Sequence, residues 1–139
     1  MKYWDSSALV ALLVDEPGSA ERRAAIRRDP AIVTWWGSRI ECASALNRLH
    51  RERRFESGGL DRSLEQLRRL GASWLEIEPL EQVRSRAIRL LRLHPLRGAD
   101  ALQLAAALTA AAEDPNRLDL VSSDDRLSDA ARREGFTVL

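Results

Sequence analysis

Short apolar segments alternate along this chain with stretches of helical period, and that alternation restricts the folds open to it. Lys2-Tyr3-Trp4, Ala31–Thr34, Trp74–Ile77, Leu118–Ser122 and Phe136–Leu139 read as strands. Between them, helices are expected at Ala8–Val14, at Ala20–Arg28 with Ser19 as its cap, and from Trp36 or Gly37 to about Arg53. Further helices are expected from Asp61 or Ser63 to Leu70, and at Leu80–Leu93, Ala99–Ala112 and Asp125–Glu134. In the long third helix Cys42, Ala45, Leu46 and Leu49 follow i, i+3, i+4, i+7 spacing. Pro17-Gly18, Pro30, Gly58-Gly59, Gly71, Pro95, Gly98 and Gly135 mark the breaks. Strand–helix alternation of this kind predicts an α/β sandwich with a mostly parallel central sheet. Ligands of such sheets sit beyond the carboxyl ends of the strands.

Composition narrows the class further. The chain has 139 residues, 45% hydrophobic and 31% charged, which excludes a disordered or collagen-like chain. No repeat, low-complexity tract or Pro/Gly/Ser-rich linker divides it, so residues 1–139 read as a single domain. One cysteine, Cys42, leaves no intramolecular disulfide and no cysteine-rich zinc site. The longest charge-free apolar run, Ala101–Ala112, is short of a membrane span, and Asp5 stands where a signal peptide needs an apolar region. A cytoplasmic, reducing setting is therefore expected, with no membrane. Lys plus Arg is 22 and Asp plus Glu is 21, a net charge of +1, and Lys2 is the only lysine.

Three or four carboxylates, from separate segments, are expected near one edge of the sheet. Asp5 follows the first strand, between apolar segments, where its charge is costly unless a cation meets it. A helix N-cap explains it equally well. Glu41 borders the apolar stripe of the third helix, where a solvated acid favoured by the helix dipole is the blander reading. Asp100 is the only acid of the apolar Ala99–Ala112 helix, so partial burial is expected. Asp124 and Asp125 follow the strand Leu118–Ser122, and two adjacent acids exceed one cap's needs. Carboxylates gathered at one sheet edge repel one another, and a divalent cation lets them stay ionised together. An all-oxygen donor set favours Mg²⁺ or Mn²⁺ over zinc. His50 and His94 lack ligand spacing and read as exposed or structural.

Four blocks, in order, resemble a known family. They are Asp5-Ser6-Ser7-Ala8-Leu9, Glu41-Cys42-Ala43-Ser44-Ala45-Leu46, Gly98-Ala99-Asp100-Ala101-Leu102-Gln103-Leu104-Ala105 and Ser122-Ser123-Asp124-Asp125-Arg126-Leu127. Together they resemble a PIN domain, and more closely a VapC-type ribonuclease toxin of a type II toxin–antitoxin pair. The resemblance implies a three-layer α/β/α sandwich and Mg²⁺-dependent endonucleolytic cleavage of RNA, with Mn²⁺ as a substitute. It assigns the acids to Asp5, Glu41, Asp100 and Asp124. Asp5 and Asp100 would hold metal, with Glu41, Asp124 and Ser7 in support. Asp124 is preferred to Asp125 for its spacing to Leu127, and Ser6 stands where many relatives carry Thr. The implied partners are an RNA substrate and a small cognate antitoxin, in a homodimer or a toxin–antitoxin hetero-oligomer.

Other readings make different demands. A non-catalytic PIN-like module would bind RNA or protein with purely structural acids. An aspartyl-phosphate enzyme would use Asp5 as nucleophile and usually carries a second Asp two positions on, where this chain has Ser7. The arginine clusters Arg48, Arg51, Arg53, Arg54 and Arg84, Arg86, Arg89, Arg92 read first as solvated faces paired with Glu52, Glu56 and Glu81. RNA phosphate binding is their functional alternative. At least one of Trp35 and Trp36 is expected in the core.

Overall fold

Neighbouring residues of each strand send their side chains to opposite faces of a sheet, and here both faces are covered. The computed structural model describes residues 1–139. Four strands, β1 (Lys2–Trp4), β2 (Ile32–Trp35), β3 (Leu75–Ile77) and β4 (Leu120–Val121), are ordered β3-β2-β1-β4. All neighbours are parallel, with Tyr3 opposite Val33 on one side and Leu120 on the other. Seven helices flank them: α1 (Ser6–Leu13), α2 (Ser19–Arg28), α3 (Ser38–Arg51), α4 (Gly59–Gly71), α5 (Glu81–Leu93), α6 (Gly98–Ala110) and α7 (Asp125–Arg133).

Tyr3, Val33, Trp35 and Leu120 pack with Val83, Leu90, Leu104, Leu108 and Leu127 of α5, α6 and α7. Trp4, Ile32 and Val121 pack on the other face with Leu9, Ala25, Cys42, Leu46 and Leu67 of α1 to α4. The period-2 alternation of β1, β2 and β4 thus feeds two cores, giving the expected α/β/α layers. Helix α6 is buried from Ala101 to Leu108 except for half-buried Leu102, as its apolar circumference predicts. No helix is long and apolar enough to cross a membrane.

Several boundaries differ from the sequence expectation: α1 begins at Ser6 and α4 at Gly59, and β4 is only Leu120–Val121. Ser19 does not cap α2. Gly18, at φ +89°, holds the cap position, and Ser19 is the first helical residue. Its hydroxyl donates to the Val14 carbonyl and accepts the Glu16 N–H, closing the preceding turn. The strand expected at Phe136–Leu139 is one bridge, Leu120 to Val138. The Phe136 N–H goes instead to the Ala131 carbonyl, and Gly135 N–H to Arg132, closing the end of α7. A 3₁₀ turn at Pro115–Arg117, capped by Asp114, precedes β4. At the amino-terminal edge of the sheet, Asp29 pairs with Lys2 and the N-terminal ammonium, opposite the edge where the acids gather.

Candidate active site

Asp5 ends β1 and caps α1, so the capping and functional readings both apply to it. Its side chain is 2% exposed. Oδ1 accepts the Ala8 N–H at 3.0 Å, and the Ser7 hydroxyl lies 2.9 Å from both carboxylate oxygens. Ser7 Oγ in turn accepts the Ser123 N–H at 2.8 Å, tying Asp5 to the loop after β4. Burial pushes the Asp5 carboxyl up to about 6, against the pull of these neutral donors. No cationic side chain pairs with it.

Glu41 stands in the first turn of α3 and is held from two sides. The Ser6 hydroxyl donates to Oε2 at 2.8 Å, and Gln103 Nε2 donates to Oε1 at 3.1 Å. Burial pushes its pKa above the usual carboxylate value, these donors pull it down, and the Asp100 charge raises it again. Gln103 anchors a buried chain of polar groups. Its Oε1 accepts the Tyr3 hydroxyl at 2.7 Å, and its Nε2 reaches Ser38 Oγ at 2.9 Å. Ser38 Oγ lies 2.7 Å from Thr34 Oγ1, which donates to the Trp4 carbonyl at 2.6 Å. Burial first, then the charges of Asp5 and Glu41, hold the Tyr3 phenol far above its usual range, so it stays a donor.

Asp100, in the first turn of α6, accepts the Arg97 backbone N–H at 3.3 Å. Burial raises its carboxyl, Asp124 adds to the rise, and Arg97 and Arg126 oppose it. Asp124 caps α7 through the Leu127 N–H at 2.7 Å. Ser122 Oγ accepts the Asp124 N–H at 3.0 Å. Arg22 braces this loop through Ser122 O and Ser123 Oγ. Asp125, beside it, is exposed and its side chain makes no hydrogen bond.

The four acids therefore lie at one end of the sheet and feel one another in sequence. Tyr3 and Cys42 feel both Asp5 and Glu41, Glu41 feels Asp100, and Asp100 feels Asp124. No three His, Cys, Asp or Glu side chains stand close enough to enclose a metal ion. The donor chemistry fits a hard divalent cation. Every donor is oxygen, and three of the carboxyls are raised by burial without a paired cation.

A sequence profile described as PIN domain matches residues 2–133. The chain belongs to the PIN domain family. Solved structures include a toxin–antitoxin complex from Klebsiella pneumoniae with a chain similar in fold to this PIN domain. The match has a TM-score of 0.61 and 18% identity, and covers 89% of this chain and 87% of that one. No curated protein matches.

Away from the acids, the PIN domain sorts its remaining candidates. Trp35 is buried in the core and Trp36 is 48% exposed, the two rings meeting edge to face. His50 is exposed; His94 is buried, with Nε2 2.6 Å from Glu134 Oε1. Arg84 pairs with Glu81, as expected. Arg48, Arg51, Arg53 and Arg54 do not pair with Glu52 or Glu56, and the chain leaves α3 with Arg53 at φ +57°. Arg86 pairs with Glu113 instead of a residue on its own helix. Gln103 is the site residue that sequence reasoning passed over as part of a motif. A polar side chain in the middle of the otherwise apolar run Ala101–Leu108 was its available signal.

Proposed function

We propose that this PIN domain is the ribonuclease toxin of a toxin–antitoxin pair, cutting RNA endonucleolytically with Mg²⁺ or Mn²⁺ in the cytoplasm. One observation carries the reading: Asp5 is a buried strand-end carboxylate, raised to about 6, with neutral donors and no paired cation. Asp5 and Asp100 would hold the metal, with Glu41, Asp124 and Ser7 supporting. When bound, such an ion makes water acidic enough to supply a nucleophile and offsets charge on the phosphate.

The chain's own residues have separable tasks. Glu41, fixed by Ser6 and Gln103, orients the attacking water and takes up its proton. The water oxygen bonds to phosphorus as the bond to the 3′ oxygen breaks. Ser7 holds Asp5 and the Asp124-bearing loop in register. The toxin role draws on the similar chain found in a toxin–antitoxin complex. A small antitoxin is the expected partner, in a homodimer or toxin–antitoxin hetero-oligomer.

A second reading, a PIN domain that binds RNA or protein without cutting, draws on the lack of three acids close enough to enclose an ion. Sequencing RNA 5′ ends after induced expression separates the two. The nuclease reading expects new, discrete 5′ ends that vanish in Asp5→Ala. The binding reading expects none.

A further inference from the structure

We infer that Arg97, Arg126 and Arg133 form a strip that grips phosphates of an RNA strand beside the scissile one. The inference rests on the nuclease reading and adds the route of the strand to it. Arg97 caps α6 at the turn holding Asp100, its backbone N–H bonded to that carboxylate. Arg126 is the second residue of α7, two positions after its cap Asp124. The two therefore mark the two helix starts that bear Asp100 and Asp124, and both act on the Asp100 charge. Arg126 and Arg133 lie seven residues apart on α7, on one face, and line the same notch. That notch, about 70 Å³, is completed by His94, Pro95, Asp129 and Ala130.

Their place beside the acids, joined to the lack of a carboxylate partner, marks these three among the arginines. Arg23, Arg39, Arg68, Arg69, Arg84, Arg86 and Arg132 each meet a carboxylate. Asp129, the acid of the notch, pairs with Arg132. Arg97, Arg126 and Arg133 are exposed and meet none, so their forks are free for another anion. A phosphodiester strand suits the placement. The acids repel phosphate at the centre, and cations just outside them retain the strand through its neighbours. Helix starts add backbone N–H groups and dipoles of the same sign.

The test uses a labelled single-stranded RNA. Binding is read by fluorescence anisotropy over a salt series with the Asp5→Asn protein, which keeps the strand intact. Cleavage is read with the wild-type background. Arg97→Ala, Arg126→Ala and Arg133→Ala should each weaken binding about tenfold. Each should also reduce the slope of log affinity against log salt by about 0.7. KM should rise with kcat within about twofold, since the lost contact is uniform binding. Arg28→Ala, at the end of α2 beside the Lys2–Asp29 edge, should change nothing. Wild-type protein that cuts RNA, with slope and KM unmoved in the triple variant, overturns the strip. Wild-type protein that binds RNA with the arginine-dependent slope but never cuts overturns the nuclease reading and leaves the strip standing.

Discussion

Gln103 Nε2 donates to Glu41 Oε1 across 3.1 Å, joining the apolar helix α6 to the acid of α3. The Tyr3 hydroxyl on Gln103 Oε1 fixes which end of the amide faces Glu41. Gln103→Leu removes that donor and leaves the Tyr3 and Ser38 hydroxyls short of a partner in the core. The expected cost is about 1–3 kcal/mol of stability. RNA cleavage should lose about 10- to 100-fold in kcat with KM little changed, within the range of a lost orienting group. Denaturant titration and steady-state kinetics check both. A folded variant with full kcat would remove Gln103 from the site.

Asp5 should make the metal-free protein less stable as pH rises. Its folded-state value of about 6 lies above the ordinary 3.8. Between pH 4 and 6 the folded protein keeps a proton that the unfolded chain has released. Stability is therefore fully present below about pH 4, falls through this window and levels above it, by up to about 3 kcal/mol. Asp5→Asn keeps an acceptor for the Ala8 N–H and carries no charge, so it should be more stable than wild type at pH 7.5 in EDTA. Denaturant unfolding from pH 4 to 8 measures this. Wild-type stability that rises across the window would contradict it.

Divalent cations should stabilise the same protein. At 100 times the dissociation constant, Mg²⁺ or Mn²⁺ adds about 2.7 kcal/mol. This should shift Tm upward by several degrees at pH 7.5. The shift should shrink at pH 5, where Asp5 holds a proton, and disappear in Asp5→Asn. A thermal shift series with and without EDTA reads it; an equal shift in Asp5→Asn would place the ion elsewhere.

Cys42 should be inert. Burial, then the charges of Glu41 and Asp5, push its thiol up to about 12, and Sγ lies 3.7 Å from the Ser6 carbonyl. Iodoacetamide should label it only after unfolding. Rapid labelling of the native protein would show that α3 opens beside Glu41.

The layers were legible because each short strand alternates sharply. Tyr3 and Trp4 serve opposite cores, and Val33 and Ile32 repeat the pattern. The positions of the four acids were legible because each caps a helix or stands in its first turn, where local sequence already favours an acid. What escaped were features decided by tertiary partners. Ser19 reads as a cap, yet the turn from Val14 to Glu16 claims its hydroxyl. Phe136 reads as strand, yet its N–H closes α7. Gln103 gains its role from Tyr3 and Glu41, 100 and 62 residues away in the chain, a pairing that spacing within one helix does not announce.

The most direct measurement is cleavage of purified RNA by the purified protein, with and without Mg²⁺, beside folded Asp5→Asn and Asp100→Asn. The account predicts fragments only with wild-type protein and divalent cation, and intact RNA with either variant or with EDTA. Cleavage retained by both folded variants would contradict it.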